Sequence, residues 1–297
     1  MKFFQKFANA PVAIPPRGKA PGFQFLDTDR AVQARIAGHG DFLRQNPDLN
    51  RLPDFVAANQ ELTAAWDVVY DARGHLTEPH TGRELALGTL AVREYLHAID
   101  NFDTKWLDSI TLPSLALNGC KTLGPKFRFG AVLFIEKEGF DPLFRAVQLG
   151  DRFDVAIMST KGMSVTASRK LVDDLARYAR DHLSQPLPLL VGRDFDKSGF
   201  SILGTFTRNT RRYEYENKLN VIDLGLSLVD VQKMKLPAES VVISGNDPAS
   251  NLRENGATDA EIEFLLSGRR EHNRTWGQRV ELNAMTSDQF VAWIESK

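Results

Sequence analysis

Two short stretches carry acids where chemistry could use them. One is Phe134-Ile135-Glu136-Lys137-Glu138-Gly139. The other is Leu190-Val191-Gly192-Arg193-Asp194-Phe195-Asp196-Lys197-Ser198-Gly199. Glu136, Asp194 and Asp196 are hard oxygen donors with few nitrogen or sulfur competitors nearby. Such a set suits Mg2+, or Mn2+ in its place, an ion that keeps waters and completes its octahedron with phosphate oxygens. The chemistry this implies is phosphodiester cleavage, in which a cation neutralises charge building on the phosphate. Lys137 and Arg193 stand beside these acids and are candidates for contact with phosphate or for ion pairs with the acids themselves.

The elements on either side of the acids must bring them together. Ala131-Val-Leu-Phe-Ile135 is a short unbroken apolar run, the pattern of a strand buried on both faces. A second strand is expected at 155–158, a third at 187–191 with Pro188 at its start, and a fourth at 221–224. Helical spacing fills the gaps: Phe140, Leu143, Phe144 and Val147, then Val165, Leu171, Leu175, Tyr178 and Leu183, then a helix from about Ser198. Alternating strands and helices predict an α/β fold, a parallel sheet flanked by helices. Functional groups in such sheets gather at the carboxyl ends of the strands. Parallel strands of similar length place Glu136 and Asp194 on one rim, with Asp196 two residues farther into the turn.

Several function classes are excluded. There is no Gly-x-x-x-x-Gly-Lys-Ser/Thr loop, no Gly-x-Gly-x-x-Gly loop and no His-Glu-x-x-His helix. A single cysteine, Cys120, rules out an internal disulfide framework. No run of 18 apolar residues is present, so no membrane span is expected, and the expected location is the cytoplasm. At 297 residues the chain has room for about two domains. Its net charge of −1 leaves nucleic acid open as a partner, because an acidic metal site offsets basic contacts elsewhere.

The first half reads differently. Residues 1–25 are rich in Pro, Gly and Ala and carry Lys2, Lys6, Arg17 and Lys19, the composition of an extended basic arm. Residues 26–120 read as mainly helical, with a hairpin or wing around Gly74 and a further helix over 88–99. That order is compatible with a winged-helix-like DNA-binding domain. The remainder, 128–297, is the sheet domain with a C-terminal helical extension. Arg73 lies in the hairpin region. Arg208, Arg211 and Arg212, interleaved with Tyr213 and Tyr215, form a basic stretch that either meets DNA phosphates and bases or is a solvated connection. Arg269 to Arg279, around Trp276, is a second such stretch.

An apolar strand ending in Glu, a Gly turn after the next strand (Lys161-Gly162-Met163), and a strand ending in Asp-x-Asp-x-x-Gly together resemble the Toprim domain of topoisomerases, primases and related nucleases. The closer resemblance, over about residues 128–240, is to the A subunit of DNA topoisomerase VI and its meiotic double-strand-break relatives. It rests on Ile135-Glu136-Lys137-Glu138, on Asp194 to Gly199, and on Leu224-Gly-Leu-Ser-Leu-Val-Asp-Val231. The resemblance implies Mg2+ on Glu136, Asp194 and Asp196, and strand cleavage as the ancestral chemistry. It also implies a tyrosine nucleophile before the Toprim part, a homodimer, and a separate ATPase B-type subunit. The nearest candidate nucleophile is Tyr70, single where the family typically has a pair, with Arg73 three residues on; the second candidate is Tyr95, whose helical spacing suits a core position better. The expected activity is therefore Mg2+-dependent DNA cleavage or topoisomerase-like transesterification. The alternatives are a Toprim nuclease using metal-activated water, in plasmid or phage defence, and a non-catalytic Toprim-derived DNA-binding protein.

Overall fold

The structure, a computed structural model, describes residues 25–26, 68–69, 72–101, 122, 124–160, 166–183, 185–210, 212–243, 247–268, 270–271 and 274–297. The chain divides into two units, Met1–Val69 and Tyr70–Lys297. In the first, β1 (Phe25–Leu26) pairs in parallel with β2 (Val68–Val69). Tyr70 and most of the winged-helix-like expectation, including residues 27–67 and 102–121, lie outside the described residues.

The second unit is built on a six-stranded mixed sheet. Its elements begin with the hairpin β3 (His75–Thr77) and β4 (Glu84–Ala86), then α1 (Thr89–Asp100). Next come β5 (Ala131–Ile135), α2 (Asp141–Ala146), α3 (Leu149–Phe153), β6 (Val155–Ser159) and α4 (Thr166–His182). β7 (Pro188–Gly192), α5 (Lys197–Thr207), β8 (Asn220–Asp223) and α6 (Leu228–Met234) follow. The strand order is β4-β3-β6-β5-β7-β8. The four strands β6, β5, β7 and β8 are mutually parallel, and the expected alternation of strands and helices holds there.

Alternation along the central strands explains why they read as continuous apolar runs. Val132 and Phe134 of β5, Ala156 and Met158 of β6, and Leu189 and Val191 of β7 enter one core, with α1 and α4. Leu133 and Ile135 of β5, with Val155 and Ile157 of β6, enter the other. Both faces are therefore covered and neither side chain parity can be polar.

The hairpin differs from the expected wing. β3 pairs antiparallel with β6, His75 opposite Ser159, so residues 75–86 extend the central sheet. Gly74 makes this possible. Its φ is +80°, and a Cβ there would stand 1.9 Å from the Ser159 carbonyl oxygen. The helix that follows buries Val92, Tyr95 and Ile99 in the same core as α4. The segment 75–100 thus belongs with the sheet, because its apolar face has its partners there.

Beyond β8 the chain adds β9 (Glu239–Ile243), α7 (Pro248–Glu254), α8 (Asp259–Leu265), β10 (Arg270–Glu271), β11 (Arg274–Arg279) and α9 (Ser287–Ser296). A separate antiparallel sheet runs β10-β11-β9. The basic stretch around Trp276 is therefore mostly strand. Among the described residues no helix is long and apolar enough to cross a membrane.

Candidate functional site

Register places the acids. Ile135 is opposite Gly192 across β5 and β7, so Glu136 and Arg193 leave their strands side by side at the carboxyl edge. Asp194 follows on the same rim. Asp196 then starts α5: its backbone is extended, and its Oδ1 accepts a hydrogen bond from Gly199 N–H at 2.6 Å. This is N-capping, and it directs the positive end of the helix at the acids. The glycine is required sterically. A Cβ on Gly199 would meet the Asp194 carbonyl oxygen at 2.3 Å.

A second chain segment completes the site, one that sequence reasoning missed. Phe195 and Val280 form an isolated antiparallel bridge, and both side chains are fully buried in the second core. In extended backbone the neighbours of a buried residue point the other way. Asp194 and Asp196 therefore share a side with Arg279 and Glu281. The alternation Arg279-Val280-Glu281 mirrors Asp194-Phe195-Asp196, but only the pairing of residues 85 apart reveals its meaning. Leu282 N–H then donates to Asp194 Oδ1 at 2.7 Å.

The charges are strongly coupled. Lys137 Nζ lies 3.0 Å from Asp194 Oδ2 and 2.8 Å from Glu281 Oε2. Burial works against its charge, but Glu281 and Asp194 outweigh that and hold the ammonium above its ordinary value. Glu281 is held below the usual carboxylate range, chiefly by its hydrogen bond from Lys137. Burial raises Asp196, and the Gly199 N–H opposes it. Glu136 is pushed up to about 7, first by desolvation and then by the negative charges of Asp194 and Asp196. Negative charge around Glu136 is thus undercompensated by Lys137.

The donor chemistry fits a hard divalent cation, since these are carboxylates whose repulsion a cation relieves. Among the described residues, however, no group of three or more His, Cys, Asp or Glu side chains is disposed to hold a metal as it stands. Asp194 and Glu281 pair with Lys137, and Glu136 and Asp196 feel the negative charge of Asp194.

The other expected residues are distributed unevenly. Arg73 is exposed two positions before His75, on the same sheet edge as Glu136. Arg193, a candidate for phosphate contact or for an ion pair with the neighbouring acids, is buried. Its guanidinium pairs with Asp223 at 2.7 Å, donates to the Leu226 carbonyl at 3.2 Å, and lies 3.8 Å over the Phe200 ring. Its role is to join β7 to the loop after β8. Arg208 ends α5, an 11-residue helix, so it is roughly 16 Å along the axis from Asp196. It donates to Asn255 Oδ1 at 2.7 Å and so ties α5 to the end of α7. Arg212 is exposed, and Arg211 lies outside the described residues, as do Lys161, Gly162 and Met163.

The aromatics of the basic stretch are engaged within the fold. Tyr213 O–H donates to Asp173 at 2.9 Å, and Tyr215 O–H donates to the Thr205 carbonyl at 2.7 Å. Tyr95 is buried and donates to Glu78 at 2.8 Å, and burial followed by the Glu78 charge raises its hydroxyl. Tyr178 is buried as well. Comparison with protein-family models finds no match, and comparison with curated proteins finds none either.

Proposed function

We propose that this chain cleaves DNA strands in a Mg2+-dependent reaction, in the manner of the topoisomerase VI A subunits that its motifs resemble. The observation that carries the reading is that Glu136 and Asp194 leave neighbouring parallel strands at one carboxyl edge, close enough with Asp196 for their charges to repel, while Lys137 pairs with Asp194. Glu136, Asp194 and Asp196 would hold Mg2+ or Mn2+. When bound, the cation supplies charge neutralisation at the scissile phosphate and the departing oxygen. Lys137 adds a positive charge at the same place. Arg73, on the same edge, would contact a flanking phosphate.

Transesterification needs a tyrosine whose phenolate attacks phosphorus and later leaves. Of the five tyrosines, Tyr95, Tyr178, Tyr213 and Tyr215 are buried or hydrogen-bonded within the fold. Tyr70 alone remains for that role. On this reading the chain works as a homodimer, one site per strand, together with a separate ATPase B-type subunit. The engagement of the other four tyrosines favours a second reading, a Toprim nuclease in which water attacks.

The test is cleavage of supercoiled plasmid with Mg2+ or Mn2+, comparing wild type with Asp194→Ala. Nicked or linear product from wild type only is expected. Equal cleavage by both proteins removes the metal site from the reaction, and no cleavage by either leaves the non-catalytic DNA-binding alternative. A Tyr70→Phe variant separates the nucleophiles. Loss of a covalent protein–DNA adduct together with cleavage identifies tyrosine, and cleavage that persists without an adduct identifies water.

A further inference from the structure

The basic stretch around Trp276 plays no part in the proposed reaction. Over residues 269–279 it carries Arg269, Arg270, Arg274 and Arg279 against the single acid Glu271. Its backbone forms β10 and β11, and β11 is the middle strand of the β10-β11-β9 sheet. Register decides which side chains share a face. Gly277 is opposite Val241, Trp276 opposite Val242, and Gln278 opposite Ser240. Gly277 marks the inner face, because a Cβ there would stand 2.1 Å from Ile243 Cδ1 and 2.2 Å from the Leu265 carbonyl oxygen. Trp276 and Gln278 on one strand, and Val242 and Ser240 on the next, therefore share the outer face. Val242 is 46% exposed, and Ser240 is exposed too. Trp276 is half-buried and belongs to neither hydrophobic core. Among the described residues its indole has no hydrogen-bond partner and no ring contact, and the Gln278 amide has no hydrogen-bond partner.

A large aromatic ring on an open sheet face suits a flat ligand. A protein partner fits less well. Trp offers about 150–250 Å2 of surface, whereas a stable protein interface takes about 800 Å2 from each partner. Around Trp276 the outer face is polar at Ser240 and Gln278, with Val242 as its one apolar neighbour. The charge of the stretch, with Arg274 two residues before Trp276, is complementary to phosphate. We propose that the outer face of this sheet binds single-stranded DNA, with an unpaired base stacked on Trp276 and the Gln278 amide bonding the base edge. A base inside a duplex has both faces stacked already, so the single strand is the ligand. The choice of DNA rests on the reading above; the platform itself needs no cation. Its position suits that reading. β11 runs from Trp276 to Arg279, about 10 Å on at the rise of a strand. Arg279 contacts Glu281 at 3.0 Å, and Glu281 pairs with Lys137 at 2.8 Å. A DNA strand leaving the rim reaches Trp276 within a few nucleotides.

The experiment is fluorescence anisotropy of a labelled oligothymidylate, and of a blunt duplex of equal length, titrated in EDTA with wild type, Trp276→Leu and Trp276→Phe. Trp276→Leu keeps apolar bulk and removes the π face. It is expected to weaken single-strand binding by roughly 5–150-fold, the loss of one stacked base, and to leave duplex binding unchanged. Trp276→Phe should keep most of the single-strand affinity. Equal single-strand affinity in wild type and Trp276→Leu would overturn the platform. So would an equal loss for single strand and duplex, which marks a general change of fold or charge, and so would a wild type that does not bind the single strand. Should Trp276→Leu fail to fold, Val242→Glu places a negative charge beside the ring at an exposed position. A loss of affinity larger for single strand than for duplex is then expected, and unchanged binding overturns the proposal. A wild-type dimer that Trp276→Leu dissociates in sedimentation, with oligonucleotide binding unchanged, would assign the face to a second copy instead. The two readings fail separately. Plasmid cleavage by a wild type that does not bind the single strand overturns the platform alone. Trp276-dependent binding by a wild type that cleaves nothing upholds the platform and removes the cleavage reading.

Discussion

Phe195 and Val280 exchange backbone hydrogen bonds in both directions, at 2.8 Å and 3.0 Å, across 85 residues of chain. Their side chains are buried together, and the charged neighbours of both are turned to the opposite side. Phe195 also makes an edge contact with Phe200 at 6.1 Å between centroids and a tilted one with Phe264 at 5.7 Å. One apolar pair thereby fixes the relation of two acids to the C-terminal charges.

Phe195→Ala should accordingly cost stability and site geometry together. Emptying this position is expected to cost about 3–5 kcal/mol in denaturant unfolding. Mn2+ affinity should fall in the same variant under conditions where it remains folded. A loss of stability with metal affinity untouched would separate the bridge from the site.

Gly199→Ala tests the close approach of α5 to the Asp194 backbone. In an unconstrained helix interior this substitution stabilises by about 1 kcal/mol. Here the new Cβ would lie 2.3 Å from a carbonyl oxygen that cannot yield as a side chain can. The expected result is a lowered melting temperature and weaker Mn2+ binding. A melting temperature at or above wild type would contradict the contact.

The Glu136 carboxyl gives a pH dependence of known sign. Its ordinary value is 4.5, and the folded protein raises it to about 7. Between these values the folded chain keeps a proton that the unfolded chain has released. Stability from this group therefore declines as pH rises from about 4.5 to about 7 and levels off above. Melting temperatures of wild type and Glu136→Gln, measured without metal from pH 4.5 to 8, should diverge across that window, with wild type losing ground. Metal requires the carboxylate, so Mg2+ affinity should rise over the same window and binding near pH 7 should release protons. A pH-independent difference between the two proteins would remove the shift.

Arg193 and Arg73 should behave in opposite ways. Arg193→Met removes the partner of Asp223 at 2.7 Å and the donor to the Leu226 carbonyl, and because Asp223 is exposed to solvent the expected cost in unfolding is about 1–2 kcal/mol. It should leave the salt dependence of DNA binding unchanged. Arg73→Ala should leave stability unchanged and reduce the slope of log affinity against log salt by about one, as for one lost phosphate contact. Binding measured at several salt concentrations decides both.

What this sequence determined by itself is local. The apolar run Ala131 to Ile135 has the pattern of a doubly buried strand and is one, and the helix expected from about Ser198 begins at Lys197. Placing Glu136 and Asp194 on one rim needed only parallel strands, which the alternation of strand and helix already implied. Tertiary structure decided the rest. His75 to Ala86 has the alternation of any hairpin, and only the approach of Gly74 to Ser159 shows that it joins the sheet. Arg193 has the composition of a phosphate contact, and only Asp223, Leu226 and Phe200 around it show a buried tie. Glu281 lies in a stretch that reads as a C-terminal extension, and only the bridge from Val280 to Phe195 brings it to Lys137. The reason is the range of the forces involved. Periodicity and capping act within a few residues and are written in the local order of side chains. Partners for an unpaired strand edge or a buried charge come from anywhere in the chain, and packing alone selects them.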